Sequence, residues 1–208
     1  MELLDQTWHD ALGQQAGTEM GRYLLKAIVE KYSESHRCYH NRVHIEKMLR
    51  FIQANKAYGQ STHALSLATI FHDVIYDPQE KDNEEKSADF ARHALLTLKM
   101  DAKYVEEIET LILCTKHHQA QNGNPDSFLI VDADLSILSS PDAEYDDYAI
   151  AIRSEYSFLN DDDYRVGRTK VLQSFLDRES IFVSPELESR IGERARENVR
   201  REISSLVG

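Results

Sequence analysis

Cysteine, proline and glycine are all scarce in this chain, at 2, 4 and 8 among 208 residues. The two cysteines, Cys38 and Cys114, form no CxxC pair and lack pairwise zinc-site spacing, and no disulfide framework can be inferred from one possible pair; they are expected as buried thiols. So few glycines and prolines argue against a turn-rich all-β domain and for helices joined by short loops. Long hydrophobic runs are absent too: none approaches the roughly 20 residues of a membrane helix, so no membrane partner is expected. The opening MELLDQTWHD is acidic and has no apolar stretch, so no signal peptide is expected there and a reducing cytoplasm is the expected location. Positive charge is short as well. Lys and Arg number 24 against 36 Asp and Glu, a net charge of −12, whereas a nucleic-acid-binding surface needs a basic stripe. The one basic cluster, Arg194, Arg196, Arg200 and Arg201, alternates with Glu193, Glu197 and Glu202 and reads as a solvated helix face. A nucleic-acid polymer is thereby excluded as a partner. A small anionic substrate is not, because a bound dication reverses the local field.

What remains is an ordinary globular composition, 41% hydrophobic and 29% charged, with no repeat or linker: one domain over residues 1–208. The apolar spacing is helical almost throughout. Met20, Tyr23, Leu24, Ala27 and Ile28 mark a helix near 18–32; Ile45, Met48, Leu49 and Ile52 mark another near 42–55. Residues 62–73 are apolar almost all round and predict a buried helix. Asp82 with Glu85 resembles a capping box opening a helix through Leu98, and Asp101 caps the next, to Thr115. Gly123, Asn124 and Pro125 break the chain, and Phe128–Val131 is either a short strand or the entry to a helix near Leu135. Helices follow near 142–158, 161–177 and 185–206, with Ser140-Pro141 and Ser184-Pro185 each placing a cap before a first-turn proline. The expected fold class is all-α.

The chemistry lies where histidines meet carboxylates at helix ends. His72-Asp73 closes the most apolar helix, and a polar pair there is costly unless satisfied. A buried, hydrogen-bonded His–Asp pair is the plain reading; a mixed nitrogen and oxygen metal site, suited to Mn, Fe, Co, Ni or Zn and with more water to Mg, is the functional one. His40 and His44 lie four apart, on one face if helical. Asp132 and Asp134 interrupt an apolar stretch, and Lys116, His117 and His118 end another helix. Such groups can converge inside a helical bundle.

The order His44, His72-Asp73, Asp134 resembles the H…HD…D pattern of the HD superfamily of phosphohydrolases. The segments Tyr39–Ile45, Phe71–Pro78, Asp82–Ala88, Thr115–His118, Asp132–Leu135 and Ile152–Tyr156 resemble a bacterial family of predicted HD phosphohydrolases, over roughly residues 36–203. The resemblance implies an HD-type helical bundle in which His44, His72, Asp73 and Asp134 hold a divalent ion. His44 is preferred to His40 because an apolar residue, Met48, follows it along the same helix, as in the HD pattern. It further implies hydrolysis of a phosphate ester, a small nucleotide or related metabolite, with Asp73 orienting or deprotonating the attacking water. Lys116 or His117 would then contact phosphate, or His117 donate a proton. His40, Asp77, Glu84 and Arg153 are candidate substrate contacts. The plain alternatives are a helix cap for His40, dipole-compensating charge for Glu84, Lys116 and His117, an ion pair for Arg153, and surface for His93. Two rival functions stay open: a dinuclear-iron HD oxygenase, which needs about six protein ligands, and a non-catalytic HD ligand-binding or sensor protein.

Overall fold

The computed structural model describes residues 3–207, and every regular element among them is helical. The order is α1 Leu3–Leu12, α2 Glu19–Lys31, α3 Arg42–Ala54, α4 Thr62–Phe71, α5 Asn83–Thr97, α6 Ala102–Thr115, α7 Pro125–Leu135, α8 Asp142–Glu155, α9 Asp161–Leu176 and α10 Pro185–Val207. The all-α expectation therefore holds. Phe128–Val131 resolves to helix, inside α7, with Asn124 capping and Pro125 in the first turn. No helix among the described residues is long and apolar enough to cross a membrane.

The core is organised around α4. Every residue from Ala64 to Phe71 is buried, and the helix packs against α1, α3, α5, α6 and α7. A helix apolar all round has no solvent face, so neighbours must surround it; fully burying Leu65, Leu67, Ile70 and Phe71 contributes about 1.5–3 kcal/mol each. One neighbour, α1, is absent from the sequence-based expectations, which treat the opening segment only as acidic. Leu4, Trp8 and Leu12, spaced at four, form its inner stripe, and the Trp8 ring lies 6.0 Å from that of Phe71, the residue before His72. In α2 only part of the expected stripe turns inward: Leu24 and Ile28 are buried, while Met20 and Tyr23 are exposed.

Three local expectations are corrected. Asp82 occupies the N-cap of α5 but makes no capping hydrogen bond; its carboxylate pairs instead with Lys86 at 2.7 Å. Ser140 does not cap α8: Pro141 holds that position, and the Ser140 hydroxyl donates to the Ile137 carbonyl at 2.7 Å. Cys38 is exposed, and only Cys114 is a buried thiol. The basic cluster on α10 is mostly ion-paired, as a solvated face would be, but Arg196 turns inward and donates to the carbonyls of Leu176, Arg178 and Glu179. It satisfies one carbonyl at the end of α9 and two in the turn after it.

Of the two acids in α7, Asp132 is structural. Two residues along a helix is about 200° of rotation, so Asp132 and Asp134 must face different sides. Asp132 is fully buried and accepts from the Val183 and Ser184 backbone N–H groups at 2.6 and 2.9 Å, fixing the entry to α10. Elsewhere Arg168 makes a two-point buried pair with Glu202 (2.8 and 3.0 Å) that ties α9 to α10, and Tyr145 of α8 donates to the same carboxylate at 2.6 Å.

Truncating Trp8 to Ala should destabilise the protein by about 3–5 kcal/mol in urea unfolding, the cost of a large core cavity. Val43→Ala, on an exposed side chain, should stay within about 0.5 kcal/mol. Equal effects would mean that α1 is not part of the core.

Candidate metal centre and cavity

Three helix ends and one helix start meet at a single point. His72 and Asp73 follow the last residue of α4, Lys116–His118 follow α6, and Asp134 sits in the last turn of α7. His44 enters from the first turn of α3, whose N-cap Asn41 accepts from Val43 N–H at 2.8 Å. Helix C-termini carry partial negative charge, so the backbone alone makes this a place for a cation.

The end of α4 is held from several directions. Its final carbonyls lack helical partners, and each finds another donor. His72 Nδ1 meets the Thr69 carbonyl at 2.9 Å, the Tyr32 hydroxyl donates to Ile70 at 3.0 Å, and Arg37 donates to Asp73 and Val74 at 2.6 and 3.1 Å. Arg37 also donates to the His40 carbonyl at 3.2 Å. One buried guanidinium thus spans the segment that carries His40 and the turn that carries His72 and Asp73.

A carbonyl can only accept, so His72 Nδ1 carries a hydrogen, and once Nε2 gives up its proton the ring would present a lone pair to the interior. That is how metal-bound histidines are commonly oriented. His44 Nε2 lies 3.3 Å from His72 Nε2 and 3.3 Å from Asp134 Oδ1, and all three residues offer donor atoms within 4.8 Å of one another. Asp73 Oδ2 stands 3.0 Å from His72 Nε2 and 3.9 Å from His44 Nε2. Two ligands bound at about 2.0–2.1 Å to one ion lie about 3.0–3.4 Å apart, so the closer spacings are those of a shared coordination sphere. His44, His72 and Asp134 could together hold a metal ion. Neither cysteine belongs to the group.

The electrostatics fit a cluster that gathers positive charge. Burial alone would depress His72, but Asp73 and then Asp134 outweigh it and lift its pKa to about 9. Burial wins at His44, which is lowered despite its bond to Asp134. Both carboxylates are held below their ordinary range although burial opposes it, Asp73 chiefly by His72, and Asp134 by hydrogen bonds from His118 and His44.

A cavity of about 360 Å³ opens onto this cluster. Among the residues singled out from the sequence, His40, Asp73, Glu84, Lys116, His117 and Asp134 line it. Asp77 and Arg153 do not. Asp77 is exposed and shapes the turn after α4, accepting from Gln79 N–H at 2.9 Å. Arg153 donates to the carbonyls of Tyr156 and Leu159 and to Asp161, and lies over the Tyr164 ring, so it fastens α8 to α9. His93 is exposed on α5, away from the cavity.

Three further groups are at the site: His118 and Arg168, to which the sequence assigned no role, and Glu155, expected with Arg153 to anchor an anion or form a structural ion pair, which pairs instead with His40. His118, held in the left-handed region at φ 50°, places Nε2 3.3 Å from Asp134 Oδ2; its adjacency to His117 was the only signal. Arg168 is the arginine that reaches the cavity, and nothing in its local sequence marks it. Glu155 is 4% exposed and accepts from the Tyr39 and His40 backbone N–H groups at 2.7 and 2.9 Å, from the Tyr76 hydroxyl at 2.7 Å, and pairs with His40 Nδ1 at 2.6 Å. It thereby locks the cavity wall beside His44.

Comparison with family models, with characterised proteins and with solved structures finds no match to this chain.

Burial would raise the Glu155 pKa, but His40 and the two backbone N–H groups overcome it and bring it to about 2, from an ordinary 4.5. A depressed carboxylate stabilises the fold above its unfolded-state value and loses that contribution as pH falls toward its folded one. In chelator-treated protein, Glu155→Gln should therefore cost about 3 kcal/mol at pH 7 and about half of that at pH 3, by urea unfolding. A difference that does not change with pH would show that Glu155 is not held ionised by these partners.

Proposed function

We propose that this chain is a metal-dependent phosphohydrolase of the HD superfamily, acting on a small phosphate ester such as a nucleotide or related metabolite. The observation that carries the reading is the buried His44, His72 and Asp134 group, with Asp73 beside it; Asp73 and Asp134 of this cluster line a cavity that also presents cations. Four donors from three elements converge there in the order of the HD pattern. A divalent ion held by His44, His72, Asp73 and Asp134 would supply Lewis acidity and a water whose pKa falls from about 15.7 towards about 7.

The chain's own residues do the rest. Asp73, at the cavity edge of the cluster, accepts the proton of the attacking water or orients it. His118 occupies one oxygen of Asp134 and leaves the other facing His44. Lys116, anchored to Glu85, and Arg168, anchored to Glu202, face the cavity and offset charge on the phosphoryl group as it builds up. For the leaving group, His40 is the imidazole that the fold positions most firmly. Its Nδ1 is fixed by Glu155 and its ring stacks on Tyr76 at 4.3 Å, so Nε2 can hold a proton at the cavity. His117 is exposed at the mouth of the same cavity and supports a substrate contact there.

One observation favours a second reading. His118 lies against Asp134, and Glu84 lines the same cavity with its pKa raised by burial and by Asp73. Those groups would serve a dinuclear site, as in an HD oxygenase. The full donor set argues against a non-catalytic sensor, in which at least one ligand would be expected to be missing.

His44→Ala, His72→Ala and Asp134→Asn should each lose bound metal, while His93→Ala should not. In the native chain, manganese or cobalt at 100 times its dissociation constant should raise stability by about 2.7 kcal/mol. A phosphatase and phosphodiesterase screen with several divalent metals should find turnover that falls by orders of magnitude in Asp73→Asn. Lys116→Ala should weaken substrate use with metal still bound. Protein whose stability is unmoved by either metal contradicts the reading; His118→Ala stripping metal as fully as His72→Ala would favour the dinuclear alternative.

A further inference from the structure

A second cleft, of about 390 Å³ and here called the rear cleft, has His44 in its wall. The two share Tyr39 and Ile137 as a wall, but His44 lines only the rear one. His44 is 2% exposed. Its Nε2 belongs to the metal-binding group, and its Nδ1 makes no hydrogen bond to any described residue, whereas His72 Nδ1 has the Thr69 carbonyl. A metal-bound imidazole almost always donates its second N–H to an oxygen acceptor. The fold supplies that acceptor for one histidine of the cluster and leaves it to the rear cleft for the other.

The remaining lining says what kind of acceptor fits. Three cations, Lys47, Arg50 and Arg190, border the cleft against one acid, Glu144, in a chain whose net charge is −12. Lys47 pairs with Glu144 at 2.5 Å, Arg50 with Glu46 at 3.0 Å, and Arg190 holds Asn55 with one of its nitrogens at 2.6 Å; a guanidinium has five N–H donors, so both arginines keep donors for a ligand. The nearby serine hydroxyls, by contrast, spend their protons on main-chain carbonyls. Between the rim and His44 the wall is apolar, with Met48, Phe51 and Ile191. We propose that the rear cleft is a second binding site, for a small organic anion whose apolar body packs on Met48, Phe51 and Ile191 and whose oxygens meet the cationic rim and, once an ion holds Nε2, the His44 Nδ1–H.

Because His44 joins the two sites, the occupant acts on the metal as well. An oxyanion accepting from Nδ1 makes Nε2 a better donor, so anion and metal bind with positive coupling, and by reciprocity each strengthens the other. The coupling and the contact with His44 Nδ1 rest on the metal-binding reading; the cationic and apolar lining of the anion site does not.

The test is calorimetric titration of the full chain with 8-anilinonaphthalene-1-sulfonate, an organic anion of this kind, first in metal-free protein. One saturable site is expected. Arg190→Gln should weaken it about tenfold, Ile191→Trp should abolish it by filling the cleft, and Lys116→Ala, in the front cavity, should leave it unchanged. Circular dichroism establishes that each variant is folded, and the two rear-cleft variants stand independently. Saturating probe should tighten manganese binding about fivefold or more in the native chain and not in Ile191→Trp. Absence of saturable binding, or loss in Lys116→Ala with Arg190→Gln unaffected, overturns the site. An unchanged manganese affinity with the probe bound overturns the coupling through His44.

Discussion

Two imidazoles and two carboxylates sit at the buried end of the helix with the least access to water, and the rest of the molecule is arranged around that fact. Polar groups in such a place are costly unless each finds a partner. His72 and Asp73 follow a helix in which every residue from Ala64 to Phe71 is buried. Their rings and oxygens cannot turn to solvent, so they meet His44 and Asp134. The set has more acceptors than donors, and the ends of α4, α6 and α7 add partial negative charge from the backbone. A site of this composition could hold a cation.

Holding it there requires a scaffold that is itself polar. Arg37 bonds the carbonyls on either side of the gap between the His40 segment and the end of α4. Glu155 gathers Tyr39, His40 and Tyr76, and Asp132 pins the entry of α10 behind α7. Each is a charged group buried with its hydrogen-bonding capacity spent. Removing one partner leaves an uncompensated charge, which is why such networks hold a single geometry. The consequence for function is that ligand positions are set before anything binds, as a metal site demands.

Legibility in the sequence followed the physics of each signal. Long periodic helices were readable because apolar spacing reports burial directly; His72, Asp73 and Asp134 stood out as polar residues in or beside apolar runs, while their grouping with His44 came only from the resemblance to the HD pattern. What escaped was set by tertiary packing. The stripe Leu4, Trp8 and Leu12 was overlooked beside acidic neighbours. Phe128–Val131 carried both helix and strand character until Asn124 and Pro125 committed it to a helix. Arg153 and Arg168 look alike in sequence, yet one caps the α8–α9 connection and the other reaches the cavity, a distinction that rests on which helix each faces. Asp132 and Asp134 differ likewise, by rotation about α7. His118 was passed over for His117 because a left-handed residue reverses the direction that helical continuation would give.

The account turns on an ion being held by this one cluster, and X-ray absorption of the cobalt-loaded full chain tests that most directly. The spectrum should show stoichiometric cobalt with two imidazole nitrogens and otherwise oxygen ligands. A shell without histidine, or one with sulfur from Cys38 or Cys114, would contradict it.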